Sequence, residues 1–125
     1  FNFISGFIFN LAPDKTVPLK TKPQTWQTMP GAVAGEPVKE QMNTCIKELY
    51  NRMDQNRYHI IGIGGISTAE DAYEKIQLGA SLVQLLTGLI YEGPNLIRQI
   101  NKGLLHLLER DGLSSISQAV GTKNT

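Results

Sequence analysis

Two stretches of the chain, His59-Ile60-Ile61-Gly62-Ile63 and Ser81-Leu82-Val83-Gln84-Leu85-Leu86, are apolar almost without a break. A strand with one wet face alternates apolar and polar residues. A strand of a parallel sheet, covered on both faces, reads instead as a continuous run. Both stretches are short for a helix and rich in β-formers, so each is read as a buried strand. Helical spacing follows each of them. Ala69, Ala72, Tyr73 and Ile76 form one apolar stripe, opened by the capping-box pattern Ser67-Thr68-Ala69-Glu70 and closed by Gly79 as the C′ residue. Further on, Pro94 suits a first helical position, and Leu96, Ile97, Ile100, Leu104, Leu105 and Leu108 form an amphipathic stripe that ends at Asp111-Gly112. Strands that alternate with helices pair in parallel through right-handed crossovers, which implies an α/β fold.

The remaining segments fit this alternation. Residues 3–9 are a third short apolar and aromatic run, read as a buried strand. Residues 10–37 break all periodicity and hold five of the six prolines. A connection this long is uncommon in a compact domain unless it is functional or disordered. Val38, Met42, Cys45, Ile46, Leu49 and Met53 then share one helical face, with Pro37 in the first turn. Leu89 to Glu92 form a short extra segment after the last strand, and Ser115-Ile116-Ser117-Gln118 is a second capping-box pattern that opens a final turn before Gly121.

The chain has 125 residues. A complete (β/α)8 barrel needs about 250. Since the sequence opens in mid-pattern at Phe1 and not at Met, the expectation is a single partial domain over residues 1–125, with preceding chain missing. A net charge of +1, with the charges interspersed, argues against nucleic acid as the main partner. No apolar run reaches the roughly 18 residues of a membrane span. The lone Cys45 excludes an internal disulfide and lies on an apolar helix face, which suits packing better than nucleophilic chemistry. His59 and His106 are isolated, with no second ligand at metal spacing, so no metal site is expected.

The chemistry-bearing candidates are strand ends. In Ile61-Gly62-Ile63-Gly64-Gly65-Ile66-Ser67 a strand runs into glycines and then a helix start. Unpaired amides and the helix dipole favour an anion there, and glycine lets a phosphate approach the backbone. The pattern is neither the dinucleotide fingerprint nor a P-loop, and a tight βα turn accounts for the same glycines without a ligand. One βα unit later, Leu86-Thr87-Gly88 is a second strand end with a small hydroxyl and a glycine. In barrels, the loops after the last two strands, with a short extra helix, form the usual phosphate site. The small residues of Gly31-Ala32-Val33-Ala34-Gly35 would let a planar ligand lie against backbone, although a flexible loop has the same composition. Trp26 is a candidate cover for a ligand, and Gln84 a polar residue pointing into a barrel interior.

Together these residues resemble a known family. Ile60-Ile61-Gly62-Ile63-Gly64-Gly65-Ile66, Glu74-Lys75-Ile76, Gly79-Ala80-Ser81-Leu82-Val83-Gln84, Thr87-Gly88 and Gly93-Pro94 closely resemble the C-terminal part of dihydroorotate dehydrogenases, and the tail from Asp111 to Gly121 resembles the quinone-linked class 2 branch. The resemblance implies the last three βα units of a (β/α)8 TIM barrel with parallel strands, and FMN-dependent oxidation of dihydroorotate to orotate in pyrimidine biosynthesis. It implies FMN as cofactor, with its phosphate at Gly64 and Gly65, joined by Leu86, Thr87 and Gly88. Gly35 would lie beside the flavin, and residues 10–37 would be a loop on the active-site side. Asn10 would bind substrate. The family's serine base and flavin-contacting lysine would lie outside this chain, so no catalytic residue is expected in it and the isolated chain is expected to be inactive. Quinone is the implied electron acceptor. Membrane contact would come only through an absent N-terminal region, at the cytoplasmic side of a bacterial inner membrane or at the mitochondrial inner membrane.

The sequence also departs from the family pattern. Ala34 replaces the loop serine, Leu86 the usual aromatic, and Asn10-Leu11-Ala12 keeps only one member of the substrate-binding Asn-Thr pair. A polar site loses heavily when a donor or acceptor disappears. The alternatives are a non-catalytic flavin- or phosphate-binding relative that has lost the substrate residues, and a stand-alone flavodoxin-like domain binding a phosphate ligand.

Overall fold

The computed structural model describes residues 3–9 and 17–124. Three strands, β1 (Gly6–Ile8), β2 (His59–Ile63) and β3 (Leu82–Gln84), form one parallel sheet in the order β1-β2-β3. Phe7 pairs with Ile60, Ile61 with Leu82 and Ile63 with Gln84. The helices are α1 (Pro23–Trp26), α2 (Lys39–Arg52), α3 (Ala69–Gln77), α4 (Thr87–Glu92), α5 (Asn95–Arg110) and α6 (Ile116–Ala119), with a 3-10 turn at Glu36–Val38 ahead of α2. The α/β alternation and the parallel pairing expected from the sequence are both present. So is a single helical turn, α1, inside the stretch read as aperiodic. It carries the half-buried Trp26, which lies outside all the hydrophobic clusters.

The largest core joins α3 to α5. Ala69, Ala72, Tyr73 and Ile76 meet Leu96, Ile100, Leu104, Leu107 and Leu108, and Val83 and Leu85 pack against them from below. Gly103 makes the close crossing possible, because a Cβ there would collide with that of Ala69. The α5 stripe is rotated from the expected one. Ile97 and Leu105 are exposed, and Leu107 is buried in their place. Residues 96, 100, 104, 107 and 108 fall within about 120° of a 3.6-residue helix, and 105 lies outside that arc. A second cluster of Ile46, Ile60 and Ala80 holds α2 to the sheet, and a third joins Val38 to Met42.

The start of α3 differs by one residue from the sequence expectation. Thr68, not Ser67, is the N-cap. Its Oγ1 accepts the Asp71 amide at 3.1 Å, and Asp71 Oδ2 accepts the Thr68 amide at 3.0 Å. Aspartate at N3 closes the reciprocal pair, so Glu70 is left exposed. Pro94 likewise is the N-cap of α5 and not its first residue. At the chain's end Ser115 makes no side-chain cap, because Gln118 Oε1 turns to the amide and hydroxyl of Ser114. The other end of α3 is capped by the tail: the Gly121 and Lys123 amides donate to the carbonyls of Ile76 and Gln77.

Helices cover one face of the sheet. The strands are shorter than expected, and the second face is open among the described residues. Ile8, Leu82 and Leu86 are 46%, 61% and 58% exposed. By the strand period of two, Leu82, Gln84 and Leu86 share that face with Ile61 and Ile63, their register neighbours, and Ile63 at its upper end is buried.

Candidate functional site

A cleft of about 460 Å³ lies at the C-terminal ends of β2 and β3, where ligands of parallel α/β sheets bind. Three segments far apart in sequence line it: 34–37 ahead of α2, 63–67 after β2, and 84–88 after β3, with Tyr91 and Glu92 of α4. The structure therefore brings Gly35, Gly64, Gly65, Leu86, Thr87 and Gly88 to one concave surface. Trp26 does not line it, and Asn10 lies outside the described residues. Gln84, exposed on the open face, is a lining residue.

Close backbone approaches build the cleft. Gly35 has φ 84°, and a Cβ on it would stand 2.9 Å from Thr87 Cγ2. That contact draws the loop before α2 onto the end of β3. Gly88 lies against the Ile66 carbonyl so closely that no side chain fits, which joins the two strand ends. Gly65, at φ 67°, abuts the stem of Lys39, with 2.5 Å from an ideal Cβ to Lys39 Cβ. A side chain at Gly35 or Gly65 would be strained by conformation and by contact alike.

The donors are backbone amides. Among the described residues, the amides of Gly65 and Ile66 make no backbone bond outside the helices and strands, the amides of Thr87 and Gly88 belong to the first turn of α4, where no intrahelical acceptor exists, and all four residues line the cleft. The amides of Ser67 and Thr68, one step further along, are already taken. Asp71 Oδ2 accepts both at 3.0 Å, together with the Ser67 hydroxyl at 3.2 Å. The N-terminus of α3 thus carries its own carboxylate, and the amides left for an anion are those just before it. Glu36 and Glu92 are exposed at the rim of the cleft.

A polar network backs the turn. Lys39 Nζ donates to Asp71 Oδ1 at 2.5 Å and stands 3.9 Å from Glu74. Asn43 Nδ2 donates to Glu74, and the fully buried Lys75 donates to Asn43 Oδ1 at 2.6 Å. Burial alone would raise the Asp71 carboxyl. The Lys39 ammonium and the donors of Ser67 and Thr68 outweigh it and hold the group at about 2. The hydrogen bond to Asp71 raises Lys39 in return. Lys75 is pushed down to about 8 by burial, against the pull of Glu74. Sequence reasoning missed Lys39, Asp71 and the role of Ser67. The signal was present in Ser67-Thr68-x-x-Asp71, whose aspartate sits three residues after the cap.

Residues 4–108 match the family model described as dihydroorotate dehydrogenase. The chain belongs to the dihydroorotate dehydrogenase family. Its relatives include the dihydroorotate dehydrogenase (quinone) of Halobacterium salinarum, 50% identical over 91 residues, which are 73% of this chain and 25% of that protein. The protein of the same name from Crocosphaera subtropica is 47% identical over 107 residues, 86% of this chain and 28% of the relative. Among solved structures, ligand-free DHODH from Eimeria tenella superposes with a TM-score of 0.84 at 30% identity, covering 95% of this chain and 32% of that one. The dihydroorotate dehydrogenase resemblance seen in the sequence is thereby established, and with it the α/β architecture shared with these oxidoreductases. The chain spans about a quarter of the length of the curated relatives it matches. Among the described residues, no helix is long and apolar enough to cross a membrane.

Proposed function

We propose that this chain forms the phosphate-binding part of an FMN-dependent dihydroorotate dehydrogenase. In this reading residues 1–125 are a partial domain, the last three βα units of a (β/α)8 barrel, and the open sheet face is the barrel's inner side. The observation that carries the reading is that Gly65 and Ile66, at the end of one strand, and Thr87 and Gly88, in the first turn of the helix after the next, line one cleft. Such a donor set fits a phosphate, and the glycines at 64, 65 and 88 let the two strand ends pack tightly behind it, against Met42, Lys39 and the Ile66 carbonyl.

Gly64 and Gly65 hold the turn open. Gly65 and Ile66 donate from one side, and Thr87 and Gly88, at the start of α4, donate from the other. Leu86 contributes the apolar edge between them. Gly35, drawn against Thr87, lines the wall on which a flat ring system would rest. The flavin, when bound, supplies the hydride acceptor for oxidation of dihydroorotate to orotate in pyrimidine biosynthesis. Asn10, which lies outside the described residues, is assigned to substrate binding on the family resemblance alone. The proton-abstracting base is assigned to chain outside these residues, so the 125-residue chain alone is expected to show no turnover of dihydroorotate. The names of the relatives support quinone as the electron acceptor, with membrane contact made by chain outside this segment, at a bacterial or mitochondrial inner membrane.

The test compares FMN with riboflavin, which lacks the phosphate, by flavin fluorescence titration of the protein expressed with its whole reading frame. A preference for FMN of at least about tenfold, worth roughly 1.4 kcal/mol, is expected. Equal affinities would overturn the phosphate assignment.

A further inference from the structure

We infer that the Lys39–Asp71 ion pair is the positioning device of the Gly64–Ile66 turn: it fixes the turn's shape from two helices and neutralises the Asp71 carboxylate bound to the two residues that follow the turn. The inference rests on the phosphate reading of the cleft and assigns that site a support no strand-end glycine can supply.

The geometry is specific. A single carboxylate takes four donors. Asp71 Oδ2 accepts the Ser67 amide, the Ser67 hydroxyl and the Thr68 amide, while Oδ1 accepts Lys39 Nζ. Three of these donors belong to the residues that directly follow Gly64-Gly65-Ile66. The fourth belongs to the residue whose stem Gly65 abuts. Lys39 therefore touches the turn twice, through its aliphatic carbons at Gly65 and through its ammonium at the carboxylate that anchors Ser67 and Thr68. Met42 and Val38, from the same helix, close on Gly64. Because Asp71 takes the amides of Ser67 and Thr68, the nearest amides left are those of Gly65 and Ile66, two residues that line the cleft.

Charge makes the pair necessary. A bare carboxylate next to a phosphate site repels the anion that the neighbouring amides attract, and burial strengthens the repulsion. Lys39 removes that penalty without reaching into the cleft, since it is not a lining residue. It is a positioning residue and not a ligand. Its loss should therefore weaken binding of a phosphate-bearing ligand more than binding of the same ligand without phosphate. Damage to the fold alone would weaken both equally.

The experiment titrates FMN and riboflavin into the whole-reading-frame protein, unsubstituted and as Lys39→Met, Lys39→Arg and Asp71→Asn. We expect Lys39→Met to lose about tenfold of the FMN-over-riboflavin preference, and Lys39→Arg, which keeps the charge and the long stem, to restore it to within about threefold. Asp71→Asn frees the turn but also removes the repulsion, so its loss should be smaller than that of Lys39→Met. A Lys39→Met protein that keeps the full preference overturns the inference while leaving the phosphate reading intact. So does one that loses both ligands in parallel, with Lys39→Arg equally impaired. An unsubstituted protein with no preference overturns both.

Discussion

The helix-covered face of the sheet and the open face are built to different standards. On the first, α3 and α5 cross closely enough to demand a glycine at 103, and their stripes are almost fully buried. On the second, Ile8, Leu82 and Leu86 stand between 46% and 61% exposed. The cleft lies along the seam between them. One lip, the turn after β2, is tied into the packed side by Asp71 and Lys39. The other, Leu86 to Gly88, belongs to the open side, and α4 has no side-chain cap. The turn after β2 is thus held by a packed core and an ion pair, while the turn after β3 is held chiefly by close backbone contact at Gly88.

The contrast can be broken most sharply at its packed end. Ile100→Ala, in the heart of the α3–α5 core, is expected to cost about 3 kcal/mol, read from urea midpoints. A cost near 1 kcal/mol would mean that the two faces are not so different. Gly65→Ala comes next, at about 2 kcal/mol, because it combines positive φ with collision against the Lys39 stem. It should also reduce the preference for FMN over riboflavin.

Acid should act on the tied lip. The Asp71 carboxyl is held at about 2 in the fold against 3.8 for a free aspartate, so its stabilisation is complete above pH 3.8 and disappears as pH falls through 2. Asp71→Asn, at about 1–2 kcal/mol near neutral pH, should flatten that part of the stability profile. Lys75 acts with the opposite sign. Its folded value near 8 lies below 10.5, so between these the unfolded chain binds more protons and stability rises with pH. Lys75→Met should abolish the rise in urea midpoint from pH 8 to 10.5, and a rise that survives would mean that the ammonium is solvated.

In the 125-residue chain by itself, the smallest effect should come from the open face. Leu82→Ser costs less than about 0.5 kcal/mol on the exposure found here. The barrel reading expects about 2 kcal/mol in the whole-reading-frame protein, where further strands would cover that side. Equal midpoints for Leu82→Ser and the unsubstituted protein would sink the barrel-interior assignment of this face.

Much of the fold was legible because the decisive signals are local. Continuous apolar runs marked β2 and β3, glycine after a periodic stretch ended α3, and small residues flagged the strand ends. The depth of burial was not legible. An apolar run at β1 or β3 reports a strand that can be covered on both faces, and says nothing about whether the covering elements lie in the same stretch of chain. The cap of α3 was misplaced by one residue, because Ser67 and Thr68 are both competent caps and only the three-dimensional reach of Asp71 chooses between them. Lys39 escaped notice for a different reason. It is 32 residues from Asp71, and nothing local marks one lysine as the partner of a carboxylate that distant. The departures at Ala34 and Leu86 line the cleft without blocking it, while Asn10 stays outside the described residues.

The position of Trp26 bears on how unfolding of this chain is watched. It is the sole tryptophan, and it sits in the single turn of α1, outside the three apolar clusters formed by the described residues. Indole emission will therefore report the surroundings of that turn, and can shift before the sheet gives way or stay constant while it does. The chromophores that sense the core are Tyr73, buried between α3 and α5, and Tyr50, wedged against Gly79 and Gly121. A tyrosine signal and a tryptophan signal that melt at different temperatures would be the optical signature of a loop and a core that come apart separately.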